Sequence, residues 1–555
     1  MIIALGVALI VVDTTIVNVI IPSIVRDLSV DSTQTQWIQE SYAIIFAALL
    51  LLVGRVSDIF GARRIFVVGV VVFGASSLLA ALAPSGGLLI GARFLQGIGG
   101  AVVLPTSLAL LNTMFTGKAR GKAFAVWGST IGAASALGPL LGGWLAEHLS
   151  WRWAFGVNIP LSVVILAGAA VFLDRSPRRR GGLDVVGATL SVTGLGLLAF
   201  GLIEGRTYGW VITTAPLCLR GLSWTATTSP VFVALIVAVG ALAGFAVRQA
   251  ALTRNDDPVT EPLMNLRLFA IPSFRGGNVA TLIIGIGEFG IIAVLPLWLQ
   301  FTVGYTAVQA GLALLPVAVG SVVASGASFS VAAAASPLAL VRVGLGLEAL
   351  GLAALGALAS TDTPWWHIAL VLFVYGTGVG FATAQVTNVV LDDIPDEVSG
   401  QGSGIQSTFR QLGSALGIAI LTTVFFSILG AALYDNLTSS GTPAGQADRF
   451  SRAVTASAGA AIRPLSDQPA TALVGRAAKD AMTQGLSLAS YVAAGFLVIG
   501  LVATGWISTR PTTHTAATLV TQRAEATTSA ISLRGGTEEP QYAVEGGESE
   551  RSGTC

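Results

Sequence analysis

Long apolar runs alternate with short polar breaks along most of this chain. The apolar runs fall near 1–22, 37–53, 65–83, 88–112, 123–145, 153–173, 184–204, 229–248, 277–300, 308–328, 341–360, 365–390, 403–430 and 484–508. Each is roughly 20 residues long, the length a helix needs to cross a ~30 Å hydrocarbon core. The pattern predicts an all-α, polytopic membrane protein with 14 transmembrane helices grouped as six, two and six. Residues 1–173 form the first bundle, 174–275 hold two added helices and a cytoplasmic connection, and 276–508 form the second bundle. Within the second bundle, residues 431–482 read as a long polar outer loop with weak helical periodicity. Residues 509–555, rich in Thr, Ser, Gly and Glu, read as a disordered cytoplasmic tail.

Composition sharpens the class. Of 555 residues, 53% are hydrophobic and 11% charged, against about 25% charged in soluble domains. Mean hydropathy is +0.78. A net charge of +1 argues neither for nor against nucleic acid, but no basic block interleaved with aromatics appears, so no nucleic-acid partner is expected. Two cysteines and three scattered histidines supply neither a disulfide framework nor a metal site, so no metal and no cofactor are expected. No nucleophile, base and orienting group occur together, which argues against an enzyme. No cleavable signal precedes the first run, which is expected to serve as its own insertion signal. Only 12 residues precede Asp13, and a few missing upstream residues are expected.

Arg and Lys in the short loops set orientation. Across the first six helices, ten (Arg55, Arg63, Arg64, Lys118, Arg120, Lys122, Arg175, Arg178, Arg179 and Arg180) lie on one side, and two, Arg26 and Arg152, on the other. The ten mark the cytoplasmic side, and an even helix count places both termini there.

Between the second and third runs stands Gly54-Arg55-Val56-Ser57-Asp58-Ile59-Phe60-Gly61-Ala62-Arg63-Arg64. It resembles the G-x-x-x-D-x-x-G-x-R-R loop between the second and third helices of major facilitator transporters. The resemblance implies a gating loop at Gly54, Asp58, Gly61, Arg63 and Arg64. Asp58 is expected to pair with arginines or with a neighbouring helix end in one conformation only; a bare topology signal would not explain Asp58 or the glycines. The corresponding place in the second half, Phe329 to Arg342, has Arg342 as its one charge.

Charged residues inside the runs are the candidates for chemistry. A carboxylate in a spanning helix costs on the order of 3 kcal/mol to insert, so it is retained for a polar cavity, a partner or a proton. Asp13 sits in Val12-Asp13-Thr14-Thr15-Ile16-Val17-Asn18-Val19-Ile20-Ile21-Pro22. That string resembles the L-D-x-T-I-V-N-V-A-L-P signature of the fourteen-helix drug:proton antiporter branch, whose acid is implicated in proton and cation handling. A structural role, bonded to neighbouring helices, is its alternative. Arg93-Phe94-Leu95-Gln96-Gly97-Ile98-Gly99-Gly100 resembles the R-x-x-Q-G-x-G motif of the superfamily. It implies that Arg93 assists proton transfer, with Gln96 a secondary candidate; snorkelling at a helix end is the alternative.

Glu288 is the one charge between residues 276 and 341. Burial penalises its charged form, which suits a group that loads and unloads protons or pairs with a cationic substrate; a protonated Glu bonded to a backbone carbonyl is the alternative. Glu348 follows the same logic more weakly, with Arg342 nearby. Arg410 is expected either to line the cytoplasmic end of the cavity or to anchor at lipid headgroups, and Gly413 and Gly417 to pack tightly. Leu137-Gly138-Pro139-Leu140-Leu141-Gly142-Gly143 resembles the G-P-x-x-G-G antiporter motif, so Gly138, Pro139, Gly142 and Gly143 imply export. Trp151-Arg152-Trp153-Ala154-Phe155-Gly156-Val157-Asn158-Ile159-Pro160 resembles the W-R-W-x-F-x-x-N-x-P string of the same branch.

Together these resemblances span about residues 10–430. They imply a monomeric, proton-driven exporter of hydrophobic or cationic small molecules in the cytoplasmic membrane, in which Asp13, Arg93 and Glu288 exchange protons for substrate. No Walker sequence points to ATP. The alternatives are a narrow exporter of a self-made antibiotic or metabolite, and a transport-inactive membrane receptor or scaffold.

Overall fold

The computed structural model describes residues 1–30, 32–174, 176, 182–219, 222–255, 260–331 and 336–506. The expected tail at 509–555 lies outside them, as does the middle of the Phe329–Arg342 connection. The described chain is almost wholly helical. The first group is α1 (Ile2–Leu28), α2 (Ser32–Phe60), α3 (Ala62–Ala81), α4 (Gly86–Met114), α5 (Gly117–His148), the short α6 (Arg152–Gly156) and α7 (Asn158–Phe172). Next come α8 (Val185–Tyr208) and α9 (Pro230–Asn255). The last group is α10 (Pro272–Phe301), α11 (Ala307–Ala313), α12 (Leu315–Val331), α13 (Pro337–Leu358), α14 (Trp365–Leu391), α15 (Ser399–Ser439), α16 (Ala444–Ala456), α17 (Ile462–Asp467) and α18 (Ala472–Ala503).

Thirteen spans among the described residues are long and apolar enough to cross a membrane, and bent α1 makes fourteen. Its two parts meet at 47° around position 18. Pro22 lies four residues on and has no amide hydrogen, so the carbonyl at 18 loses its helical donor and the helix bends there.

Burial separates interior from periphery. The most apolar window of α4 is 72% buried, that of α9 only 28%. An apolar helix that leaves most of its surface uncovered suits lipid, whereas α4 is enclosed by protein. The added helices pack on each other, and α8 lies against α2 and α15. The first and last groups meet where α2 touches α15 and where α5 runs along α12 and α14.

Short strands frame the added pair. β1 (Gly182–Leu183) pairs in parallel with β4 (Thr260–Glu261), placing Gly182 opposite Thr260 and Leu183 opposite Glu261. β2 (Leu217–Leu219) and β3 (Leu222–Trp224) form a hairpin between α8 and α9.

The structure corrects the reading of 431–482 as a polar loop. α15 continues to Ser439, α16 and α17 follow, and α18 begins at Ala472. α16 is amphipathic although polar in average composition, and small residues let its inner face pack closely. Ala447, Ser451 and Val454 of α16 are buried, and the Ser451 hydroxyl donates to the Gly430 carbonyl at 2.7 Å.

Candidate functional site

Each helix group holds a buried ion pair. In the first group, Arg93 of α4 donates through Nη1 to Asp13 Oδ2 of α1 at 2.5 Å. Arg93 is 2% and Asp13 0% exposed, so Arg93 does not snorkel. Gln96, one helical turn along α4, donates to Asp13 Oδ1 at 3.1 Å and to Ser77 Oγ at 2.7 Å, and accepts from Arg93 at 3.0 Å. Asn158, the first residue of α7, donates to the same Asp13 oxygen at 2.7 Å. The Arg93 guanidinium also donates to the Ile38 carbonyl at 3.1 Å and lies 4.5 Å from the centre of the Tyr42 ring. Charge, hydrogen bonding and the ring face thus all compensate the burial of this cation.

In the last group, Glu288 of α10 meets Arg410 of α15, whose Nη2 lies 3.3 and 3.2 Å from the two carboxylate oxygens. Arg410 is 8% exposed and pairs with Glu288, which corrects the expectation that it anchors at lipid headgroups. Small residues bring the two helices together: a Cβ added at Gly285 or Gly413 would collide with backbone of the opposite helix. Tyr375 of α14 donates to the Glu288 carbonyl at 3.2 Å. Glu348 of α13 is fully buried, and its charged neighbours are Glu288 and Arg410. The expected help from Arg342 is absent, because that side chain turns to the hydroxyl and carbonyl of Thr504.

The gating loop is a single sharp joint. α2 runs through Phe60, and Gly61 alone links it to α3, with φ 91°. An L side chain rarely adopts that conformation. Asp58 accepts from the amides of Gly400 at 2.7 Å and Gln401 at 2.9 Å, at the N-terminus of α15. Exposed amides and the helix dipole favour a carboxylate there, so its partner is a helix end. Gly54 permits the approach, since a Cβ on it would lie 2.6 Å from the Gly400 carbonyl oxygen.

Further joints between the first and last groups lie at the same end. Asn112 donates to Ser399 at 3.2 Å, and Arg120 pairs with Asp392. Arg55 pairs with Glu261 of β4 at 2.8 Å, and Gln401 donates to the Pro262 carbonyl at 2.8 Å. The connection after α9 therefore touches both groups. Arg63 caps the end of α7 through the Ala169 and Ala170 carbonyls at 3.2 Å. Arg64 lines a groove of about 780 Å³ beside it.

The glycines at 138–143 lie against α1 next to Asp13. A Cβ on Gly138 would strike Thr15 and the Val12 carbonyl, and one on Gly142 the backbone of Ile16. Gly143 faces Val308 and Pro139 faces Gly311, both across in the last group. Trp151 and Arg152 both donate to Asp27 near the end of α1. The Arg152 hydrogen bond, then that of Trp151, holds the Asp27 carboxyl below its ordinary range.

The sequence reading quoted Asn158 inside a motif and assigned it no role. It missed Ser77, Tyr42, Tyr375 and Gln401, whose polar groups are ordinary in isolation. It also passed over Glu40 of α2 and Glu204 of α8, whose side chains meet beside Thr207. Glu204 is fully buried in a spanning helix, and that alone marked it.

Apolar spans enclosing paired charges in two contacting helix groups define a multi-pass membrane transporter. The chain belongs to the Major Facilitator Superfamily, which residues 3–418 match. It is 35% identical over 442 residues to a puromycin resistance protein of Streptomyces alboniger, covering 78% of this chain and 82% of that one. It is 32% identical to a probable actinorhodin transporter of Streptomyces coelicolor, covering 76% and 70%. A tetracenomycin C resistance and export protein of Streptomyces glaucescens is 30% identical, covering 78% and 76%. The fold matches the human organic anion transporter MFSD10 with TM-score 0.57 at 14% identity, covering 91% of this chain and 98% of that one. It matches a double-Trp mutant of XylE with TM-score 0.58 at 13% identity, covering 91% and 94%. The chain is thus a transporter of small molecules rather than an enzyme, with relatives in antibiotic resistance and export.

Proposed function

We propose that this protein is a proton-coupled exporter of hydrophobic or cationic compounds in the cytoplasmic membrane. It acts as a monomer, with both termini in the cytoplasm. The observation that carries the reading is the pair of buried carboxyl–guanidinium contacts, Asp13–Arg93 and Glu288–Arg410, one in each helix group. A buried ion pair is costly to make and costly to break. A proton or a cationic substrate that replaces the guanidinium as partner of the carboxylate lowers that cost, which couples binding to rearrangement. The joints around Asp58 close one end of the molecule, and their release would open it, so substrate and protons meet the pairs from alternate sides. The basic loops support a cytoplasmic position for the closed end, and the Gly138–Gly143 string supports export.

Inverted membrane vesicles test the reading. Adding a lipophilic cation such as ethidium is expected to release protons from acidified vesicles containing the protein, and Asp13→Asn is expected to abolish that release while leaving insertion intact. No substrate-induced proton movement across a panel of lipophilic cations and antibiotics, with correctly inserted protein, would overturn it.

A narrow substrate range is the second reading, because the relatives are named for single antibiotics. A drug-susceptibility panel in a host lacking its own pumps separates the two: protection against one chemical class supports the narrow exporter, and protection across classes the broad one.

A further inference from the structure

We propose that Glu348 carries the odd proton of the last helix group, and that a lipophilic monocation displaces this proton. The inference rests on the export reading above and adds the site and the one-for-one exchange.

The argument begins from charge balance. The first group sets one carboxyl, Asp13, against one guanidinium, Arg93, and the bonds of Gln96 and Asn158 complete the arrangement. The last group sets two carboxyls, Glu288 and Glu348, against Arg410 alone. Arg410 is committed to Glu288, touching both of its oxygens. Glu348 is 0% exposed, and neither of its oxygens has a hydrogen-bond partner. Leaving a carboxylate buried, unbonded and beside a second carboxylate is the least favourable state available to it; the neutral acid removes the charge.

Among the described residues, the surroundings offer no other neutraliser. From α10 it faces Glu288, from α15 Arg410, and from α14 Tyr375, whose hydroxyl is spent on the Glu288 carbonyl. From α18, no charged residue stands between Asp480 and the end of the helix at Ala503, and Tyr491 packs at Gly356, two turns away along α13. Arg342, on the same helix as Glu348, is bonded to Thr504. A Cβ on Gly378 of α14 would lie 2.7 Å from Glu348 Cγ, so the close approach of α14 also keeps water from the carboxyl stem.

A monocation entering beside Glu348 replaces the proton without changing net charge. The Glu348 O–H bond breaks, its electron pair stays on the carboxylate, the proton passes to water, and the cation becomes the counter-charge. Return of a proton expels the cation by the reverse step. The exchange at Glu348 leaves the net charge beside the Glu288–Arg410 pair unchanged.

The test uses the full-length protein in detergent at neutral pH. Infrared spectroscopy is expected to show the carbonyl stretch of a protonated carboxyl group, sensitive to deuterium exchange and lost in Glu348→Gln. Persistence of the whole band in that variant overturns the proposal. If Glu348→Gln fails to accumulate, Glu348→Asp keeps the acid one methylene further back and is expected to shift the band; an unmoved band overturns it equally. Binding of tetraphenylphosphonium in weak buffer is then expected to release about one proton per cation from the native protein and none from Glu348→Gln. Binding without proton release overturns the displacement. Failure of the export reading looks different: the band and the binding-linked release remain while vesicles show no gradient-driven efflux.

Discussion

Removing either member of the Asp13–Arg93 pair should cost unequal amounts, and the inequality tests how the buried cluster is balanced. In Asp13→Asn the shape survives but the only counter-charge to Arg93 is gone. The guanidinium keeps the Ile38 carbonyl, the Gln96 oxygen and the Tyr42 ring, yet it cannot shed its proton. Breaking a buried pair in this way costs about 3–5 kcal/mol. In Arg93→Gln the survivor is a carboxyl that can neutralise itself by taking up a proton. The cost then falls to lost hydrogen bonds, about 1–3 kcal/mol. The double variant removes both charges and should recover part of the loss. A coupling of about 2–3 kcal/mol is expected, a factor of roughly 30 to 150 in the folding equilibrium. Unfolding of the four proteins in mixed micelles, followed by helical circular dichroism, measures it. Equal single losses that simply add in the double variant would refute the pairing. Efflux should be absent wherever Asp13 is Asn, whatever the stability.

The closed end gives three further expectations. Asp58→Asn removes a charge from the α15 amides, where a carboxylate contributes up to about 2 kcal/mol; the open population should rise by up to roughly 30-fold. Maleimide labelling of Ser403→Cys, a position 0% exposed in this conformation, should accelerate, and an unchanged rate would count against the joint. Gly54→Val should keep this end open altogether, because its Cβ falls 2.6 Å from the Gly400 oxygen; efflux is lost while insertion persists, and normal efflux would show that the approach is dispensable. At the opposite end Asp27 has its pKa lowered from 3.8 by Arg152. A lowered carboxyl contributes stability that is present above its unfolded value and lost as pH falls through the folded one. Arg152→Ala should therefore alter only the acid limb of a stability–pH profile, and a changed shape between roughly pH 5 and 8 would contradict the assignment.

Much of this architecture was legible in the order of residues, because lipid imposes length and polarity rules on every span. Fourteen apolar runs were countable, and the structure places its apolar helices at the same fourteen positions. Asp13, Arg93 and Glu288 stood out because a charge in such a run is costly wherever the chain then folds. The segment 431–482 read as a polar loop with weak helical periodicity because its average composition is polar, although α16 is amphipathic.

The partnerships were not legible. Asp13 and Arg93 are 80 residues apart, and Glu288 and Arg410 are separated by 122. Nothing along the chain says which cation answers which acid, since packing of α1 on α4 and of α10 on α15 decides it. The same holds for Asp58, which accepts from the exposed amides of a helix that starts more than 300 residues later. Local chemistry thus specified the spans, their charges and the tight turn at Gly61. Helix packing alone determined that Arg410 is spent on Glu288, leaving Glu348 the acid without a counter-charge, because charge balance belongs to a volume and not to a stretch of chain.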